Sequence, residues 1–113
     1  MTTIRPPIFI WEPNELLAFD SIHSAEGFVE PYDADDGTVY DAEGRLLRFE
    51  TAEGSRPWSA GVVLREQEAT PTHQPELRQA IMRAAAAAGA PLDGSAPLAA
   101  LVEQALSRFR AAR

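Results

Sequence analysis

Carboxylates are the residues that number and spacing best equip for chemistry in this chain. Ten of them stand between Pro6 and Gly44 with no arginine among them: Glu12, Glu15, Asp20, Glu26, Glu30, Asp33, Asp35, Asp36, Asp41 and Glu43. Paired carboxylates can share general acid and base roles in glycoside hydrolysis, so a small carboxylate-dependent hydrolase is one reading. Such an enzyme needs a substrate cleft, and 113 residues around one modest core leave little room for it. Asp33-Ala34-Asp35-Asp36-Gly37 invites calcium, because aspartates at alternating positions offer oxygen ligands. The spacing departs from a calcium loop, however. With Asp33 at position 1, the glycine falls at position 5 instead of 6, and Gly44 stands where the bidentate glutamate belongs. A solvated turn of turn-forming residues accounts for the same letters.

Other catalytic machinery is sparse. His23 and His73 lie fifty residues apart, and neither belongs to a metal-ligand pair such as His-x-x-x-His. Ser55 sits in a loop without the Gly-x-Ser-x-Gly frame of a nucleophile elbow. No glycine-rich phosphate-binding motif occurs. Cysteine is absent, which removes disulfides, thiolate ligands and a thiol nucleophile and fits the cytosol. All ten basic residues are arginine, so lysine Schiff-base chemistry is excluded as well. No metal or cofactor is expected. Two tryptophans remain to be placed. Trp11 follows three strand-forming residues and belongs in or beside the core. Trp58 follows Pro57 in a loop, where it either covers the sheet or anchors a partner.

The elements that position these residues follow from local pattern. Ile8 to Glu12 reads as a buried strand stopped by Pro13, and Leu16 to Phe19 as a second. Ser21 can cap a short helix over 22–30 that ends before Pro31. Thr38 to Tyr40 and Arg45 to Thr51 flank Asp41-Ala42-Glu43-Gly44, a hairpin in which Gly44 supplies the positive φ. A further strand covers Val62 to Gln67. Pro75 opens a helix with the stripe Leu77, Ile81, Ala84, Ala85 and Ala88, stopped by Gly89. Ser95 is the candidate cap of a last helix, whose Leu98, Leu101, Val102, Ala105, Leu106 and Phe109 follow helical spacing.

The expected fold is therefore α+β: a small, mostly antiparallel sheet of four to five strands, one short inserted helix and a C-terminal αα-hairpin. The chain is expected to be a single domain over residues 1–113, with 1–70 mainly β and acidic and 71–113 two helices. Leu101, Leu106 and Phe109 are expected to face Val63 or Leu64, Phe49 and Ile10. Charge divides along the same line: the first seventy residues carry −9, the remainder +2, for a total of −7. Such a field repels nucleic acid and anionic membrane. No signal peptide or membrane-spanning stretch is read, and a cytoplasmic location is expected.

Phe19-Asp20-Ser21, Phe28-Val29-Glu30-Pro31 and Tyr40-Asp41-Ala42-Glu43-Gly44-Arg45-Leu46 resemble a group of small acidic bacterial α+β proteins of the toxin-immunity type. About a quarter of the chain carries the resemblance. Tyr-Asp-x-x-Gly-Arg-Leu also looks like one unit of the YD repeat of large toxin shells, but it occurs once, and a shared hairpin turn explains it. The resemblance implies binding without catalysis, with carboxylates occupying a cationic groove on a toxin. It agrees with the charge distribution, whose bland alternative is solubility alone. The expected function is a non-catalytic protein-binding module, with an uncharacterised accessory role as the alternative. The partner-binding residues expected from sequence are Glu30, Asp33, Asp35, Asp36, Asp41, Glu43 and Trp58. As members of turns and loops, these carboxylates are expected to be solvated.

Overall fold

The computed structural model describes residues 3–12, 15–29, 37–52 and 61–111. In chain order they form β1 (Ile8–Glu12), β2 (Glu15–Phe19), α1 (Ile22–Phe28), β3 (Thr38–Tyr40), β4 (Leu46–Ala52), β5 (Gly61–Glu66), α2 (Gln74–Ala87) and α3 (Leu98–Phe109). The strands make one antiparallel sheet in the order β2-β1-β3-β4-β5. The α+β architecture, the inserted helix and the C-terminal helix pair are those expected.

The β1 sequence, Ile-Phe-Ile-Trp-Glu, is apolar on both sides because both sides are covered. Successive side chains of a strand point to opposite faces. Ile8 and Ile10 enter one core with Phe19, Val39, Leu47, Phe49, Val62 and Leu64, which receives Ala25 of α1. Phe9 enters a second core with Leu16, Ala18 and Tyr40, covered by Leu77, Ile81 and Ala85 of α2 and Leu101, Val102 and Ala105 of α3. The helix pair thus lies on one face and α1 on the other.

This arrangement corrects the expected packing of α3. Leu101 is buried as expected, but Leu106 and Phe109 are only half-buried. All three belong to the Phe9–Tyr40 face, whereas Ile10, Phe49 and Leu64 serve α1. The strand period of two decides this, since Phe9 and Ile10 cannot face the same layer.

Two helix ends also differ from expectation. Ser21 caps α1 as anticipated, its Oγ accepting the Ser24 N–H at 3.0 Å, but α1 stops at Phe28. Helix α3 begins at Leu98, with Pro97 in the cap position, instead of starting after Ser95. The Ser95 N–H and hydroxyl both donate to the Asp93 carboxylate, a local turn that competes with capping.

Helix α1 touches both edge strands, β2 and β5. In a flat sheet those edges would lie about 19 Å apart, roughly twice the width of a helix, so the sheet curls around α1. At the β5 edge the Glu26 carboxylate accepts the Leu64 N–H at 2.8 Å. At the β2 edge the chain leaving α3 forms a parallel bridge, with the Ala111 N–H donating to the Ala18 carbonyl at 2.9 Å.

Candidate functional site

The densest polar cluster surrounds the β3–β4 turn. Gly44 has φ +80, and a Cβ there would lie 2.6 Å from the Gln74 Cα, so only glycine lets the turn pass so close to the start of α2. Asp41 closes the turn from inside. Its Oδ1 accepts the Glu43 and Arg45 N–H groups, each at 2.9 Å. Its Oδ2 accepts the Arg5 N–H at 3.1 Å and Arg45 Nη1 at 2.7 Å. Arg45 reaches further: Nη1 donates to the Thr3 carbonyl at 2.7 Å and Nε to the Ala69 carbonyl at 3.2 Å. One buried ion pair thereby ties the N-terminal segment, the turn and the β5–α2 connection together.

Glu68 makes a second knot alongside. Its carboxylate accepts the Leu46 N–H at 2.9 Å, the Thr72 N–H at 3.0 Å, the Thr72 hydroxyl and His73 Nδ1 at 2.9 Å. Desolvation pushes the carboxyl upward, but these hydrogen bonds outweigh it and hold the pKa down to about 2. The oxygens of Asp41 and Glu68 are turned toward protein donors, which makes the cluster a structural clasp, while beside it the buried Oε2 of Glu66 lies 3.6 Å from Arg45 Nε and accepts no hydrogen bond among the described residues. Tyr40 lies nearby; burial, with Glu76 in support, pushes its phenol above the ordinary value, which keeps it neutral.

Asp41 is therefore a correction. It was expected among solvated partner-binding carboxylates, yet it is fully buried and spent on Arg45 and three backbone N–H groups. The physical reason is its role as the acceptor that satisfies the turn's own donors. Glu43, two residues on, keeps 45% of its side-chain surface and approaches Arg45 at 3.4 Å. Glu30, Asp33, Asp35, Asp36 and Trp58 lie outside the described residues, as does the calcium-like segment apart from Gly37. Ser55 lies outside them too. His23 is exposed on α1 and His73 is held by Glu68, so the two histidines serve separate places.

Among the described residues no three His, Asp or Glu side chains gather as metal ligands. No described helix is long and apolar enough to cross a membrane. A shallow cleft of about 210 Å³ lies between the end of β2, Ser24 of α1 and Arg110. That is smaller than the several hundred Å³ usual for a small-molecule site.

What the surface offers is two like-charged pairs on opposite faces of the sheet. The β1–β2 register sets Glu12 directly opposite Glu15. The β4–β5 register sets Arg48 directly opposite Arg65. Sequence reasoning found the acids but missed the arginine pair, because pairing across β4 and β5 depends on a register that strand pattern does not give. Arg48 and Glu50 alternating with Leu47 and Phe49 did mark an outward face. No protein-family model, curated protein or solved structure matches the chain.

Proposed function

We propose that the protein is a non-catalytic binding module that presents carboxylates to a cationic protein partner, with an immunity or inhibitor protein masking a toxin as the candidate pairing. The observation that carries this reading is the last rung of the β1–β2 hairpin. Glu12 faces Glu15 across it, and neither lies within ion-pair distance of a described arginine. Like charges directly opposite one another destabilise a sheet, a cost that a cationic partner would relieve. Gly37 adjoins this rung, since a Cβ on it would lie 3.0 Å from Glu12 Cγ, and Asp36 precedes Gly37 in the chain. Exposed Asp20 adds a further carboxylate without a described arginine partner. The clasp at Asp41 and Glu68 supports the non-catalytic half of the reading, because its carboxylates are already satisfied.

The test is capture of partners from the native host's extract at low and at high salt, with wild type and a Glu12→Gln/Glu15→Gln variant in parallel. A partner captured at low salt, and lost both at high salt and with the variant, is the expected result. Reversing the charges of Asp33, Asp35 and Asp36 should slow association further while leaving stability nearly unchanged. A partner retained equally at both salts and by both variants defeats the electrostatic reading.

A further inference from the structure

Among the described residues the helices cover only part of the second face of the sheet, and the exposed part has a composition of its own. The registers pair Leu16 with Trp11, Trp11 with Thr38, and Arg48 with Arg65, and the β3–β4 register, in which Val39 faces Leu47, extended by one step brings these residues into one row across the five strands. Directly opposite residues of antiparallel strands share a face, so this row runs along the face that carries α2 and α3. Burial falls off along it. Leu16 is 3% exposed beneath the helices, and Trp11 and Thr38 are half-buried. The side chains of Arg48 and Arg65 are 49% and 59% exposed. Among the described residues the helix pair covers this row as far as Trp11, and the arginines of β4 and β5 beyond it are exposed.

Two guanidinium groups directly opposite each other repel. One carboxylate, Glu50, answers both: Arg48 Nη1 lies 3.0 Å from its Oε1 and Arg65 Nε 3.4 Å from its Oε2. Among the described residues one positive charge is left over, and most of the ten N–H donors of the two forks remain without a described acceptor. This is the reverse of the chain as a whole, whose net charge is −7. Arginine and tryptophan are also the residues that most often carry binding energy at interfaces.

We propose that the Trp11–Thr38–Arg48–Arg65 row is a docking surface for an acidic peptide segment of a partner protein. Carboxylates of the segment take the free arginine N–H donors in bidentate fashion, and its chain lies against the flank of Trp11. The site is on the opposite face from Glu12 and Glu15, and it stands or falls independently of the cationic partner proposed for them. The field of the whole chain opposes any anion, so a short segment that places one or two carboxylates on the arginines fits better than an extended polyanion, whether nucleic acid or peptide.

The test is nitrogen-resolved NMR of the full chain titrated with a hexaglutamate peptide, with hexalysine and a six-nucleotide oligothymidylate as comparison probes. The amides of Thr38, Arg48, Glu50 and Arg65 and the Trp11 indole are expected to shift with hexaglutamate. Arg48→Gln/Arg65→Gln is expected to weaken that binding at least about tenfold while the rest of the spectrum stays unchanged. Hexalysine is expected to leave these signals in place, and any shifts it causes at Glu12 and Glu15 report on the other face. The proposal is overturned if hexaglutamate moves none of these signals, or if the double variant binds it equally well. Tighter binding of oligothymidylate through the same residues overturns it in favour of nucleic acid. A dimer that dissociates on the double substitution overturns it in favour of a second copy of the chain.

Discussion

Removing the Asp41 carboxylate should be among the most damaging single changes available to this fold. Asp41→Ala deletes acceptors for the Arg5, Glu43 and Arg45 N–H groups and the 2.7 Å ion pair to Arg45 Nη1. The Arg45 side chain is 6% exposed, so its guanidinium cannot turn to water without opening the turn. Breaking a buried pair in this way costs about 3–5 kcal/mol. The lower end applies, because the Thr3 and Ala69 carbonyls continue to hold Arg45 and Glu66 stands 3.6 Å from Nε. About 3 kcal/mol is a large fraction of the 5–15 kcal/mol that a typical domain has in total. Urea unfolding followed by far-UV circular dichroism reads it directly: with a slope of about 1.5 kcal/mol/M, the midpoint should fall by about 2 M. Adding Arg45→Met to Asp41→Ala removes the orphaned charge and should recover at least about 1 kcal/mol of the sum of the single losses. A loss below about 1 kcal/mol for Asp41→Ala, or strict additivity in the double variant, refutes the clasp as the organiser of this end of the molecule.

Two further outcomes follow from neighbouring geometry. Glu68 has its pKa lowered from 4.5 to about 2 by the folded state, so its hydrogen bonds stabilise the protein fully above the unfolded value. That contribution is lost as pH falls toward 2; carbon NMR should show the late titration, and the stability gap between wild type and Glu68→Gln should close over the same range, whereas a carboxyl titrating near 4.5 removes the reasoning. Gly44→Ala and Gly89→Ala both place a side chain at positive φ, but Gly44 would also drive its Cβ into the Gln74 backbone while Gly89 faces open space. Thermal unfolding should show about 1 kcal/mol of loss at Gly89 and at least about 2 kcal/mol more at Gly44, and equal losses would count against the close approach.

Much of the local structure is written in short-range pattern. The Asp41–Gly44 turn, the Ser21 cap, Pro75 at the start of α2 and Gly89 after its end each act within a few residues, and each is where its chemistry places it. What could not be read is the layering. Ile8, Phe9 and Ile10 say only that a strand is buried on both sides; which helix covers which side is decided by partners up to about a hundred residues away, such as Ala18 against Arg110. The candidate site shows the same division. Glu43 and Asp41 are two residues apart in one turn and look alike in sequence, yet one is at the surface and the other at the centre of a cluster. The distinguishing signal was Arg45, four residues after Asp41, together with the need of a tight turn to satisfy its own N–H groups. The pairing of Arg48 with Arg65 required a register that no local pattern supplies.

The Glu26–Leu64 contact bears on what happens before the fold is complete. It joins residues 38 apart, so it forms only when α1 and β5 have been brought together. Until then β5 is a Val-Val-Leu strand with an open outer side, the kind of surface that recruits a neighbouring chain. Among the described residues the Glu26 carboxylate takes one N–H of that side, that of Leu64. Loss of Glu26 would leave that N–H open to a neighbouring strand, and crowded refolding is where it would be felt most.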